Sequence, residues 1–496
     1  MKKITLLLCV AGMLAATSCN DWLNVRPREQ FAADEMFESY AGFRDILNGC
    51  YIKLKERALY GEKLTMSDIE ELAALWREPT EAARPGAYEL RAFNYSGDNA
   101  RATVAAIYSG LYNVIANANM IINHAGAGEG VFPDEATRAV VVGEAHAIRA
   151  FCHFDVLRLF GQAPGNTTRQ VSLPYAGQVS IVELPPYYAR DQFVARVEAD
   201  LARAEELLEG NDPLFTYTFA ELNASTAEDA FMNYRQGRFN YWAVRGIRAR
   251  FHLYNGEREK AYQVASEIIR ARGADGNPLI TLSGSNDITA GYLGCPSECL
   301  LMLNAHDLTT YAPEIFALGS YAVTDMHCAL SREQLVTLFD GQNIASNNRY
   351  LHLWEKTSGT PMGIVMPTLK KYLTELDIYS QSASRQMTKQ QVIPLLRLSE
   401  IYLIVMETTG DLAEANALWA TYQLAHNVLV TGDYFTSASD VRPKIVDEYR
   451  RELIGEGQMF YTYKRLNATS MLWRAGEVAG DNYIIPLPET EFDPNL

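Results

Sequence analysis

Cysteine is scarce in this chain, and basic runs, long apolar stretches and signatures of covalent chemistry are missing. Seven cysteines occur in 496 residues; Cys9 lies in an apolar leader and Cys19 directly follows it, leaving Cys50, Cys152, Cys295, Cys299 and Cys328. An odd remainder excludes a disulfide framework as the basis of the fold. Cys295 and Cys299, in CPSEC, could bridge across a loop or stay as unpaired thiols. No segment reaches 18 uninterrupted apolar residues, which excludes a bilayer-spanning helix. The patterns HExxH, GxSxG and GxxxxGK[ST] do not occur. HAGAGEG (124–130) holds a GxGxG, but it follows a helical pattern instead of a strand and reads as a turn. The scattered acids leave a glycosidase-type carboxylate pair open, because such a pair is defined by separation in space.

What is present is acidic and apolar. The formal net charge is −16, and losing Lys2 and Lys3 with the leader takes it to −18. That balance argues against nucleic acid and anionic lipid surfaces as partners. With 48% hydrophobic and 11% aromatic residues, the chain has ample material for a large core.

The leader itself is informative. Met1, Lys2 and Lys3 are followed by an apolar run of 13 residues, Ile4 to Ala16, and the small residues Ala16, Thr17 and Ser18 stand directly before Cys19. Residues 1–18 therefore read as a secretory signal peptide. A cysteine at this place resembles the lipobox of bacterial lipoproteins, with Ala16 where Leu is usual, and makes Cys19 the expected lipidation site. Acyl chains contribute roughly 0.8 kcal/mol per buried CH2, so several of them hold a globular body firmly at a membrane.

Most of the remaining chain has helical periodicity. In 139–161, Val142, Ala145, Ile148, Phe151, Phe154 and Leu157 recur at three- and four-residue spacing up to Gly161, which predicts an amphipathic helix with one buried stripe. Residues 191–209 repeat Phe193, Val197, Leu201, Ala204 and Leu208 behind Asp191, the expected N-cap. His146 and His153 are two turns apart on the first of these helices, a spacing compatible with buried polar residues or with a metal pair. A self-similarity links 248–269 to 399–425: an aromatic-rich helix, a glycine, and a second helix with alanine five residues later, so that Gly256 and Ala261 match Gly410 and Ala415. Such units look like tetratricopeptide helix pairs, in which the glycine makes a tight turn and the small residue a close approach. Residues 107–123 and 139–160 read as degenerate members. The predicted fold is mainly α, an α-solenoid of helix pairs with a few short β-hairpins. Long irregular excursions (60–100, 162–190, 210–236 and 273–390) form its expected working surface.

Five stretches, in order along the chain, resemble the SusD/RagB family: CNDWLNVRP (19–27), GEAHAIRAFCHFDVLRLFGQAP (143–164), IPLLRLSEIYLIVMETTGD (393–411), EYRRELIGEGQMFYTYKRL (448–466) and YIIPLPETEFDPNL (483–496). They depart from the family pattern at Asn24, Met406, Thr408, Tyr449, Gln458 and Met459. Independently of the family, Glu448, Glu452 and Glu456 recur every four residues and form a charged stripe suited to i,i+4 or cross-helix pairs. Tyr449, Leu453, Phe460 and Tyr463 give the apolar face, so this segment reads as a structural helix.

The resemblance implies one domain over 19–496, with an N-terminal part to about 235 and a C-terminal part over 236–496. It also implies a non-catalytic lipoprotein facing outward from the outer membrane, which binds an oligosaccharide and acts as a lid on a SusC-type TonB-dependent transporter. A peptide-binding, RagB-like importer is the alternative, followed by a glycan-cleaving lipoprotein. No cofactor is expected, and calcium is left open. No ligand residue transfers by motif. Aromatic faces and fixed polar groups suit sugars, so the excursions supply the candidates Tyr60, Trp76, Arg77, Asn348, Arg349, Tyr350 and Trp354.

Overall fold

In the computed structural model the residues described are 35–126, 130–178, 184–317, 324–355, 366–372 and 391–492. The leader, Cys19 and the last four residues lie outside them. Ten principal helices carry the architecture: α1 (Tyr40–Leu54), α2 (Asp98–His124), α3 (Glu135–Phe160), α4 (Arg190–Leu208), α5 (Tyr241–Tyr254), α6 (Arg258–Arg270), α7 (Leu398–Thr408), α8 (Leu412–Ala425), α9 (Ala438–Glu452) and α10 (Met459–Arg465). They pack in series, α1 on α2, α2 on α3, α3 on α4, α4 on α5, α5 on α6 and α6 on α7, with α8 and α9 closing on α7. The expected α-solenoid of helix pairs is the scaffold.

Both sequence-matched pairs form as read. Gly256 (φ 82°) turns the chain from α5 into α6, and Gly410 (φ 72°) turns it from α7 into α8. Ala261 and Ala415 are buried where the second helix of each pair approaches the first. In α4 the stripe Phe193, Val197, Leu201, Ala204 and Leu208 is fully buried. Its N-cap lies two residues earlier than expected: Ala189 occupies that position and Asp191 falls in the first turn.

α3 corrects the expectation of a single buried stripe. Almost every residue from Ala139 to Phe160 is buried, because α2 and α4 flank this helix and α1 and α5 also touch it. Its polar residues are accordingly paired: Glu144 with Arg235 and Arg238, Arg149 with Asp200, and Arg158 with Asp155.

Strands are short and antiparallel. β1 (Leu173–Pro174) pairs with β2 (Tyr187–Tyr188), β3 (Cys299–Asn304) with β6 (Val392–Arg397), and β4 (Trp354–Glu355) with β5 (Thr368–Leu369). The β3–β6 ribbon joins residues almost a hundred apart, so it is a long-range pairing instead of a hairpin, and it leads directly into α7. Cys295 and Cys299 are free thiols, the Cys299 Sγ donating to the Cys295 carbonyl at 3.4 Å.

The charged stripe of α9 is an interior network. Arg349 Nη1 donates to Glu448 Oε1 at 2.5 Å and to Glu452 Oε2 at 2.7 Å. Arg397 reaches Glu298, Glu452 and Glu456, and Lys371 Nζ donates to Glu456 Oε1 at 2.6 Å. Burial alone would raise these carboxyl groups, but Arg349 and Arg451 hold Glu448, and Arg397 holds Glu452, below the usual range. Removing one partner of such a buried set typically costs about 3–5 kcal/mol.

Candidate functional site

Most residues selected from the excursions are structural. Tyr60 is buried and donates to Asp155 Oδ2 at 2.5 Å. Trp76 is fully enclosed, its Nε1 donating to the Met66 carbonyl at 2.9 Å while its ring meets Phe316 edge-on. Asn348 is buried and donates to Ser285 Oγ at 2.7 Å; Arg349 is the centre of the ion network already described. Trp354 is buried in the short β4–β5 ribbon. Tyr350 is half-buried against Phe339, and Arg77 is half-buried with its guanidinium on Asp325.

The physical reason is that the stretch 60–76, irregular in sequence, wraps against the helices and buries its apolar side chains. The reading of Tyr60, Trp76, Asn348, Arg349 and Trp354 as an open ligand surface is corrected accordingly. Trp76→Ala is expected to lower unfolding stability by about 3–5 kcal/mol, as measured by chemical denaturation.

A more open concave site lies on the excursion 162–190. A cleft of about 670 Å3 is enclosed by α2 (Tyr112, Asn119), the β1–β2 ribbon with its flanks (Tyr175 to Gln178, Leu184 to Pro186, Tyr188) and α4 (Arg196, Asp200). This volume lies in the range of small-ligand sites. Helix periodicity places Tyr112 and Asn119 two turns apart on one face of α2. Two prolines before Tyr187 and Tyr188 hold the ribbon extended, since proline fixes φ and disfavours helix before it.

The floor is rigid. Asp200 accepts from Arg149 Nε at 2.7 Å, contacts His146 Nδ1 at 3.0 Å, and also receives the Tyr175 hydroxyl. Burial would raise the Asp200 carboxyl, but the hydrogen bonds from His146 and Arg149 pull it well below the usual range. It is a fixed negative charge at any ordinary pH. Arg149 also donates to Asn119 Oδ1 at 2.8 Å, and Asn119 Nδ2 donates to the Ala176 carbonyl at 2.8 Å. His153 stacks on Tyr175 with centroids 3.9 Å apart. Burial lowers its pKa to about 3, which keeps it neutral. His146 and His153 thus serve the floor as polar partners.

The walls are the accessible part. The Arg196 guanidinium lies 3.6 Å from the Tyr188 ring centroid and Leu184 is 80% exposed, while Tyr187, beside Tyr188 but outside the lining, is 41% exposed with its hydroxyl on Glu491. A second cleft of about 660 Å3 lies on the N-terminal half of α2, between Tyr95, Arg101 and Val104 on one side and the tail residues Pro486 to Thr490 on the other. Tyr108 lies on α2 between the two sets of lining residues, its ring centroid 4.6 Å from that of Tyr112 in the first cleft. Sequence reasoning named this excursion but none of these side chains. The usable signal was the tyrosine pair behind two prolines, together with an aromatic and a polar residue, Tyr112 and Asn119, at i,i+7 on one helix.

These features define a class: a helical scaffold of stacked pairs carrying aromatic and polar clefts, with no helix among the described residues long and apolar enough to cross a membrane. No family model matches the chain. It is 22% identical to SusD-like protein P2 of Formosa agariphila, over all of this chain and 95% of that one. Among solved structures, a SusD superfamily protein of Bacteroides thetaiotaomicron aligns with a TM-score of 0.68 at 20% identity, covering 92% of this chain and 98% of the other. Surface glycan-binding protein A of Bacteroides uniformis aligns with a TM-score of 0.66 at 15% identity, again over 92% and 98%. The chain thus shares its fold with SusD superfamily proteins and is similar in sequence, over its full length, to a SusD-like protein.

Proposed function

We propose that this protein is a cell-surface binding protein for oligosaccharides, anchored by lipid at Cys19, which passes its ligand to a SusC-type TonB-dependent transporter on which it acts as a lid. The observation that carries the reading is the pair of clefts along α2. Tyrosine faces, an amide, a buried carboxylate and an arginine line an elongated surface on a rigid scaffold, and sugar rings present apolar faces ringed by hydroxyls to such a lining. Glycan binding by a protein of the same fold, and the similarity to a SusD-like protein, support this choice of ligand. Binding without catalysis fits the cleft between α2 and α4, whose one buried acid, Asp200, is locked as an anion by Arg149 and His146 with no second carboxylate lining it; Asp98 and Glu489 line the other cleft.

The test is calorimetric titration of the purified protein with β- and α-glucan oligosaccharides and with short peptides. Saturable glycan binding that falls at least tenfold in Tyr188→Ala, with unchanged thermal unfolding, supports the reading. Binding of peptides alone would replace it with the peptide-importer alternative. Glycan binding unaffected by changes at Tyr188, Tyr187 and Arg196 would move the site elsewhere.

A further inference from the structure

The two clefts share one wall. Arg101, Ala105, Tyr108, Tyr112, Ala116 and Asn119 follow one another at three- and four-residue spacing, so they form a single face of α2 roughly 27 Å long. Arg101 and Ala105 line the cleft beside the tail, and Tyr112, Ala116 and Asn119 line the cleft beside the β1–β2 ribbon. Only Tyr108 separates the two sets on this face, and it is buried. At that point the C-terminal tail crosses the face. Glu491 accepts from the Tyr187 hydroxyl on the ribbon, and Glu489 Oε1 accepts from Arg101 Nη1 at 3.1 Å at the other end. Burial raises the Tyr108 phenol above its ordinary pKa, and Tyr112 and the Glu491 charge raise it further, which brings the Glu491 carboxylate beside Tyr108 as well.

The tail is fastened on one side of this crossing and only lightly held across it. Tyr483, Ile484 and Ile485 are buried, and the Ile485 N–H donates to the Leu159 carbonyl at 3.3 Å. Beyond them no residue from Pro486 to Phe492 is buried, and Phe492 is 69% exposed. Among the described residues, the backbone hydrogen bonds of this segment close within it, the Glu491 N–H on the Pro488 carbonyl and the Phe492 N–H on that of Glu489. Pro486 and Pro488 keep it stiff. Its ties to the body are side-chain contacts near the surface: Leu487 against the edge of the core, the Tyr187–Glu491 bond, and the Arg101–Glu489 pair, whose side chains are 49% and 70% exposed. Exposed pairs of this kind contribute little, so a ligand that replaces them can move the segment without disturbing the scaffold.

We propose that residues 486–492 are a displaceable strap across one continuous groove along α2, and that they set the length of ligand the groove admits. The inference rests on the glycan-binding reading of the clefts. A short oligosaccharide occupies the ribbon-side cleft with the strap closed. A longer one follows the same face of α2 towards Arg101, lifts the strap from Tyr187 and covers Tyr108 in its place. The free energy of lifting the strap therefore weighs on long ligands alone.

Calorimetric titration of the full-length mature protein and of its Glu491→Ala variant, with β- and α-glucan oligosaccharides graded in length, tests the strap. Glu491 lines neither cleft, so the shortest oligosaccharides that bind should bind both proteins alike. Long ones should bind Glu491→Ala at least threefold more tightly. Cleavage of the parent protein by a glutamyl endopeptidase, read by mass spectrometry at Glu489 and Glu491, gives an independent measure: a long oligosaccharide should speed it and a short one should not. Equal affinities of the two proteins at every length, or protection of the tail by a long ligand, overturn the strap and leave glycan binding in place. If no oligosaccharide of any length binds, the glycan reading itself falls, and the strap with it.

Discussion

The Glu70 carboxylate is fully buried, and its Oε1 accepts from the Gly455 and Gly457 N–H groups at 2.8 and 2.9 Å. It thereby holds the turn that follows α9. Burial pushes its pKa up to about 8, against the pull of those two N–H groups and of Lys371. The folded state therefore binds the Glu70 proton more tightly than the unfolded chain does. Its contribution to stability is fully present below the unfolded value near 4.5 and is lost as pH rises towards about 8. Glu70→Gln keeps a carbonyl oxygen for the two N–H groups and removes the titration. Urea unfolding at about pH 5 and about pH 8.5 should show the variant gaining on the parent as pH rises, at up to about 1.4 kcal/mol per unit within that window. Parallel pH profiles for the two proteins would show that Glu70 does not titrate abnormally. Tyr60 and Trp76, close by in sequence, teach a related lesson: an aromatic residue in an irregular segment looks the same in sequence whether it faces water or fills the core.

At the scale of elements, the glycines separate into two kinds, and the structure ranks them. Gly256 and Gly410 have positive φ with open space where a Cβ would stand, so they serve the turn alone. Gly457 (φ 74°) is also pressed against backbone: a Cβ would lie 2.0 Å from the Leu64 carbonyl oxygen. Gly410→Ala should therefore cost only the left-handed backbone penalty, about 1–2 kcal/mol. Gly457→Ala adds a clash that no side-chain movement relieves, and should cost several kcal/mol more or prevent folding. Thermal unfolding of both variants checks the order, and equal losses would refute it. The helix pairs were legible in sequence because a glycine turn, a small residue at the close approach and a 3.6-residue period are all local features. The burial of α3 on every side was not legible, because it depends on how many neighbours the helix acquires.

Across the whole molecule, segments distant in sequence meet in one interior. α3, the β6–α7 segment and the α9–α10 segment, which carry three of the five family-like stretches, contribute Arg158, Arg397 and Glu452 to buried ion pairs. Across the two parts of the chain, Arg158 donates to Gln458 and Lys464 donates to the Arg158 and Leu159 carbonyls, so these stretches mark the interior of the fold while saying little about ligand. The clefts along α2 are built instead from a helix, a two-residue ribbon and a tail brought together from residues 95 to 490, and no local pattern encodes such a meeting. Attachment to a membrane is a separate matter: among the described residues no helix is long and apolar enough to span one, and the proposed anchor is Cys19 in the lipobox-like stretch. With acyl chains at that thiol, the protein should sediment with outer membranes at high salt, because buried hydrocarbon is not screened by ions. Cys19→Ala should move the folded protein into the soluble fraction without changing its Tm. A Cys19→Ala protein that still sediments with outer membranes after a high-salt wash would mean that a protein surface, and not lipid, holds it there.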